Sequence, residues 1–229
     1  MYRLAIFFTC VFSPFCLQPS ELHKNYSASY KLSAKNVEIG LIERTFSIED
    51  NSNYRFLSTI STVGLGRLLS SLSRSQISTG KFTGGRFVPA DYSYQSANKK
   101  RSYELKLNQP DVGITKSGLK SPQKPVLLDQ LSYQAQLQAD LLNEVNSYEY
   151  LVQKRNKQKL YAFQHDKTEL IITKLGQFMC KKMIRLTDSP GKSITIWVAE
   201  KLHYVPVKIE LLAKGKKTVA ILTKLSHAQ

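Results

Sequence analysis

The sequence predicts a mainly β protein of the α+β kind: a large curved antiparallel sheet, or half-barrel, with one or two short helices packed on its concave face. Three observations predict it. From residue 25 onward apolar residues recur at every second position, turn-forming residues separate these runs at short intervals, and only two stretches carry a helical period. At 229 residues with 42% hydrophobic content, the chain is long enough for one sizeable core and short for two.

The first alternating run is YSASYKL, where Tyr26, Ala28, Tyr30 and Leu32 share one face and Ser27, Ser29 and Lys31 the other. Further strands are expected over 36–50, 53–63, 74–83, 103–107, 146–153, 159–165, 169–174, 177–186 and 218–225. Asp50-Asn51, Gly84-Gly85, the Asp188–Gly191 run and Gly215 supply turns, and His165-Asp166 reads as one more. In ITIWVAEKLHYVPVKIEL, Ile194, Ile196 and Val198 alternate with Thr195, Trp197 and Ala199; Val205, Val207, Ile209 and Leu211 repeat the pattern. The stretch therefore reads as a hairpin with Glu200–His203 in its connection, where an exposed Glu and His lack the burial that would tune them for acid–base work. Trp197, on the face opposite the Ile/Val set, is expected in a core or a cavity wall.

Leu65, Leu68, Leu69 and Leu72 fall at i, i+3, i+4 and i+7, the stripe of a short amphipathic helix. Leu128, Leu131, Ala135, Ala139 and Leu142 form a longer stripe with glutamines on the other faces, and Asp129 or Ser132 suits its first turn.

Met1-Tyr2-Arg3 followed by the apolar run Leu4–Phe12 and Ser13-Pro14 has the order of an export signal, and is shorter than the roughly 20 residues that span a bilayer. The expected division is a signal over 1–19 and one domain over 20–229, with periplasmic residence after cleavage. Cys180 is then the one cysteine sure to remain, expected as a small buried apolar residue rather than a nucleophile. The net charge of +16 suggests anionic partners; export points to envelope head groups or polymers rather than nucleic acid. Basic clusters stand at 99–101, 154–159, 181–182 and 214–217. Counting strand reversals places the 154–159 and 213–217 tips at opposite ends of the sheet, which argues against one basic patch.

No hydrolase elbow, metalloprotease helix or paired-cysteine zinc motif occurs, and SPGKS lacks the earlier glycine of a phosphate loop because Leu186 stands there. The four histidines are scattered. No catalytic residue, metal site or cofactor is expected.

The chain from about Asn25 onward resembles the bacterial envelope family catalogued as domain of unknown function 3108. YSASYKLSAKNVEIG, STGKFTGGRFVPADYSY with Pro89, LLDQLSYQAQL with Asp129 and Ser132, YAFQHDKTELIITKLG with Glu169 and Gly176, and the Trp197/Pro206 hairpin carry the likeness in order. Leu128 stands where the family usually shows glutamine. The resemblance implies an exported single-domain protein, and its hairpin pattern looks like that of periplasmic lipoprotein carriers, whose half-barrel closes over short helices to hold acyl chains. The expectation is a non-enzymatic binder or carrier of a lipid-like amphipathic ligand, with Trp197, Leu65, Leu68, Leu69 and Leu131 as candidate cavity lining. The alternative is an envelope scaffold or assembly factor acting through protein or anionic-polymer contacts.

Overall fold

A computed structural model describes residues 25–49, 51–64, 73–107, 126–187 and 191–227. β1 (Tyr26–Ala34) buries Tyr26, Ala28, Tyr30 and Leu32 and turns Ser27 and Lys31 to solvent, as the alternation predicts. β2 (Val37–Ile48), β3 (Asn53–Thr62), β4 (Arg74–Thr83), β5 (Arg86–Ser96) and β6 (Tyr103–Lys106) follow as an antiparallel meander to one sheet edge. The second half begins with β7 (Leu127–Leu128) and the helix α1 (Ser132–Leu142). It continues through β8 (Tyr148–Lys154), β9 (Lys157–Thr173), β10 (Gly176–Leu186), β11 (Lys192–Ala199), β12 (Pro206–Ala213) and β13 (Lys216–His227). β13 returns to pair with β1, so the two halves join into one thirteen-stranded sheet, antiparallel throughout except for β7 against β8.

The sheet is curved, and two contacts bring its opposite edges together. The Arg155 guanidinium, at the β8–β9 turn, donates to the carbonyl of Arg101 between β5 and β6 at 2.8 Å. Ser78 of β4 donates to Asp129, just after β7, at 2.5 Å.

Pairing register stacks the concave-face residues into rows. Tyr26, Phe46, Phe56, Ser78 and Tyr92 form one row across β1–β5. Tyr26, Phe46 and Phe56 of this row pack in one chain of rings with Phe87 and Tyr54, stacked or edge-on at 5.0–5.8 Å, and fill that end of the half-barrel. The next row is Ala28, Arg44, Ser58, Gln76 and Tyr94, and the one beyond is Tyr30, Ile42, Ile60, Arg74 and Ser96. α1 packs inside the curve. It is buried on nearly every face, so Gln136 and Gln138, expected on polar faces, are buried too. Backbone partners satisfy them: Gln136 accepts from Phe87 N and donates to Gly85 O, and Gln138 donates to His203 O.

Two departures from the sequence reading share a cause. β9 runs unbroken through His165-Asp166, and a bulge against β10 between Lys181 and Met183 absorbs the irregularity read as a turn. Removing that reversal changes the count. β9 to β12 make four passes, so the β8–β9 and β12–β13 turns lie at the same end, not at opposite ends. The basic segments 99–101, 154–159 and 214–217 share that end. β5 escaped the alternation for a similar reason: Phe87 and Tyr92 both face inward although their parity differs, because a bulge beside Pro89 inserts one residue. Proline sits there without cost to the ladder, having no N–H to offer. The same bulge explains Gly80. A Cβ there would stand 2.2 Å from the Val88 carbonyl oxygen and 2.7 Å from Pro89 Cα. Gly80→Ala is expected to cost about 1–3 kcal/mol or more, seen as a lower urea midpoint with unchanged slope.

Candidate functional site

The aromatic rows fill only one end of the curve; the other holds an open cavity of about 1090 Å³. Its aliphatic floor comes from inward positions of the sheet, among them Leu32, Ile42, Ile60, Ile194, Ile196 and Ile209, and the first turn of α1 supplies Leu131 and Tyr133 as a wall. Around this surface stand Arg44, Arg74, Arg101, Lys154, Arg155, Lys159, Arg185 and Lys192, and among the described residues no carboxylate lines the cavity. These cations are close enough to repel. Lys154 is held below the ordinary lysine range, first by burial and then by Arg74, Lys159, Arg155 and Arg185. Arg155 and Arg185 rest on aromatic faces, 5.2 Å from the Tyr103 centroid and 4.5 Å from that of Tyr161.

The wall is fixed by the Asp129 turn. The Asp129 carboxylate is fully buried and accepts from Leu131 N at 2.7 Å, Ser132 N at 2.9 Å and Ser78 Oγ at 2.5 Å. Ser132 Oγ in turn accepts from Asp129 N at 2.7 Å. This reciprocal pair satisfies donors that a helix start leaves open, in the manner of a capping box. Ser78 also bonds Tyr54 Oη at 2.8 Å, so the turn is tied into β3 and β4.

Of the residues expected to line a cavity, Leu131 does so, whereas Leu65, Leu68 and Leu69 lie outside the described residues. Trp197 does not. It is buried on the outer face of the sheet with Cys180, Ala199 and Val207, because its register partners Lys182 and Lys208 both point outward. There its indole N–H donates to Glu169 at 2.7 Å, and Lys208 Nζ stands 4.1 Å above its ring. Glu169 also pairs with Lys167 at 2.9 Å, and these bonds hold its carboxyl below the usual range. Cys180 is buried beside Trp197 and its thiol is pushed up to about 11 by burial, an unreactive state. Pro206 opens β12 next to the bulge that Val207 makes against β11, and Gly176, at φ 127°, starts β10. Pro89, Gly176 and Pro206 thus set backbone geometry, Asp129 and Ser132 build the turn, and Glu169 and Trp197 meet on the outer face.

Arg44, Ser58 and Gln76 were missed. The available signal was Arg44 itself, standing between Ile42 and Phe46 at an inward position of an otherwise apolar alternation.

Burial raises the pKa of Asp129 against the bonds that favour its ionised form. The native state therefore holds this proton more tightly than the unfolded chain. The associated stability is complete below the ordinary carboxylate range and is lost as pH rises through the raised value. Asp129→Asn removes this dependence, so the stability of the variant relative to wild type is expected to improve as pH rises from the ordinary carboxylate range, and to level off once the raised value is passed, in urea melts. Asp129→Ala, which strands three donors, is expected to lose about 2–4 kcal/mol.

The fold recurs among solved structures. A β-barrel-like protein of the DUF1849 domain of unknown function from Brucella abortus superposes with a TM-score of 0.50 at 11% identity, over 90% of this chain and 98% of that one. A candidate lipoprotein from Parabacteroides distasonis (TM-score 0.37, 10% identity, 90% and 96% covered) and a candidate outer-membrane lipoprotein-sorting protein domain from Vibrio parahaemolyticus (0.32, 12%, 90% and 86%) are more distant. No curated protein matches the chain. The profile of one family, DUF3108, proteins of unknown function, matches residues 25–218, and the chain belongs to that family.

Proposed function

We propose that the protein is a non-enzymatic binder or carrier of a lipid-like amphipathic ligand in the cell envelope. The observation that carries this reading is the aliphatic cavity of about 1090 Å³, open at one end of the half-barrel and surrounded by cations. Such a volume is at the upper end for small-molecule sites, roughly 300–1,000 Å³, and suits an extended apolar chain. Burying that chain supplies about 25 cal/mol per Å² of apolar surface, enough for affinity without any reacting group. The export-signal pattern of residues 1–19 supports the envelope assignment.

Native mass spectrometry of protein purified from an envelope extract without detergent, followed by solvent extraction, tests this. A reproducible lipid or acylated adduct is expected. Ile60→Asp or Ile209→Asp, each placing a carboxylate in the apolar floor, should abolish it, whereas Trp197→Phe on the outer face should retain it. A clean apo mass, or an adduct indifferent to the floor variants, overturns the reading.

A second reading, an envelope scaffold or assembly factor, has one observation in its favour. Residues 170–173 of β9 and 176–179 of β10 pair only with each other, making a two-stranded arm. It exposes Leu170 (52%), Ile172 (67%) and Met179 (60%). Loss of a crosslinked envelope partner on Ile172→Lys, with cavity binding intact, would favour that reading.

A further inference from the structure

Arg44 is the most anomalous residue in the cavity. It is 8% exposed, lines the cavity, and takes part in no ion pair among the described residues. Its Nε is buried without a hydrogen-bond partner, and its guanidinium stands 5.5 Å from the centroid of the Tyr30 ring, whose own hydroxyl is also buried and unpartnered. A buried cation without a counter-charge costs several kcal/mol, a burden that a protein with only an apolar chain to hold would shed by placing leucine there. Neighbours in the same row give the position the makings of a built site. Ser58 and Gln76 follow Arg44 in register, and both are buried. Tyr92 donates to Gln76 Oε1 at 2.8 Å, which fixes the amide and leaves its NH₂ as a donor. Arg74, one row nearer the open end, also has a buried Nε without a partner.

We infer that the Arg44–Ser58–Gln76 row at the inner end of the cavity is an anion site, which takes the carboxylate or phosphate head of an amphiphile whose apolar chain runs along Ile42, Ile60, Ile196 and Ile209 toward the open end. This rests on the carrier reading and specifies its ligand class and orientation. Guanidinium supplies the fork of donors that fits a carboxylate or phosphate in two bonds, a serine hydroxyl and an amide extend it, and the surrounding apolar surface strengthens each bond by excluding water. The aliphatic row lies between this site and the basic tips, so a chain bound head-inward stays on apolar surface until it nears the opening.

The test is displacement of the neutral fluorophore N-phenyl-1-naphthylamine from purified, delipidated protein by palmitate, hexadecyl phosphate, hexadecanol and inorganic phosphate alone. Wild type is expected to release the probe to either anionic amphiphile at a concentration about tenfold or more below that needed for hexadecanol, the ratio a charge-assisted bond supplies. Arg44→Gln should narrow the ratio to about twofold and Arg44→Lys should keep most of it. Gln76→Leu should narrow it about threefold, which preserves the test if Arg44→Gln fails to fold. Arg44→Met should melt no lower than wild type without ligand, since it removes an unpaired charge; a large loss of stability with the preference intact would assign Arg44 to structure alone. Equal displacement by hexadecanol and palmitate overturns the anion site and leaves the carrier reading standing. A probe that never binds, or that none of the amphiphiles displaces, overturns both. An anionic preference that survives in folded Arg44→Gln also overturns the assignment, as does Arg44-dependent binding of inorganic phosphate as tight as that of hexadecyl phosphate.

Discussion

The buried Asp129 carboxylate is the constraint on which the shape of this protein depends. A thirteen-stranded antiparallel sheet has no intrinsic reason to stop curling at a particular radius. Here the radius is set where Asp129, on the segment that leaves one edge, is held by Ser78 from the other half of the sheet. The same carboxylate organises the first turn of α1 through Leu131 N and Ser132 N, so one group fixes both the closure of the curve and the helix inside it. Its cost in desolvation is visible in its raised pKa, and its three donors are what make burial tolerable.

From that constraint follows the division of the interior. The helix runs from the Asp129 turn toward the end filled by Phe46, Phe56, Tyr54 and Phe87, where Gln136 and Gln138 anchor it to backbone at Phe87 and His203. At the other end the inward residues are Ile and Leu rather than aromatics, and they leave room. One concave face therefore does two jobs. Its aromatic rows supply the core that keeps the sheet folded, and its aliphatic rows line the open cavity. The first and last described strands reinforce this arrangement, since β1 and β13 pair in the middle of the sheet rather than at an edge.

Charge is distributed by the same topology. Three basic turn segments gather at the open end, 154–159 and 214–217 because the four strands β9 to β12 separate them, and the cations that 99–101 and 154–159 contribute to the cavity meet no carboxylate among its described lining. Mutual repulsion on this scale lowers the stability of the empty protein slightly and raises the local concentration of anions. On the outer face the opposite solution holds: Lys167, Lys182 and Lys208 are each satisfied by Glu169, Asp166, Glu210 or the Trp197 ring. Like residues thus have unlike roles on the two faces of one sheet.

By itself the sequence determined the class of fold, most strands, the 194–211 hairpin and the helix that follows Asp129. These are properties of local period and turn chemistry, and period-two alternation is readable without knowing any partner. It also marked Asp129 and Ser132 as a helix start. Only the tertiary structure decided what depends on register. Bulges at Pro89 and in β9 shift parity by one residue, which hid β5 and inverted the end assigned to the basic tips. Trp197 was assigned to its strand face correctly, yet which face is concave is settled by the curl of the whole sheet, so its place outside the cavity was not readable locally. The row of Arg44, Ser58 and Gln76 joins three strands, and no window of sequence contains it.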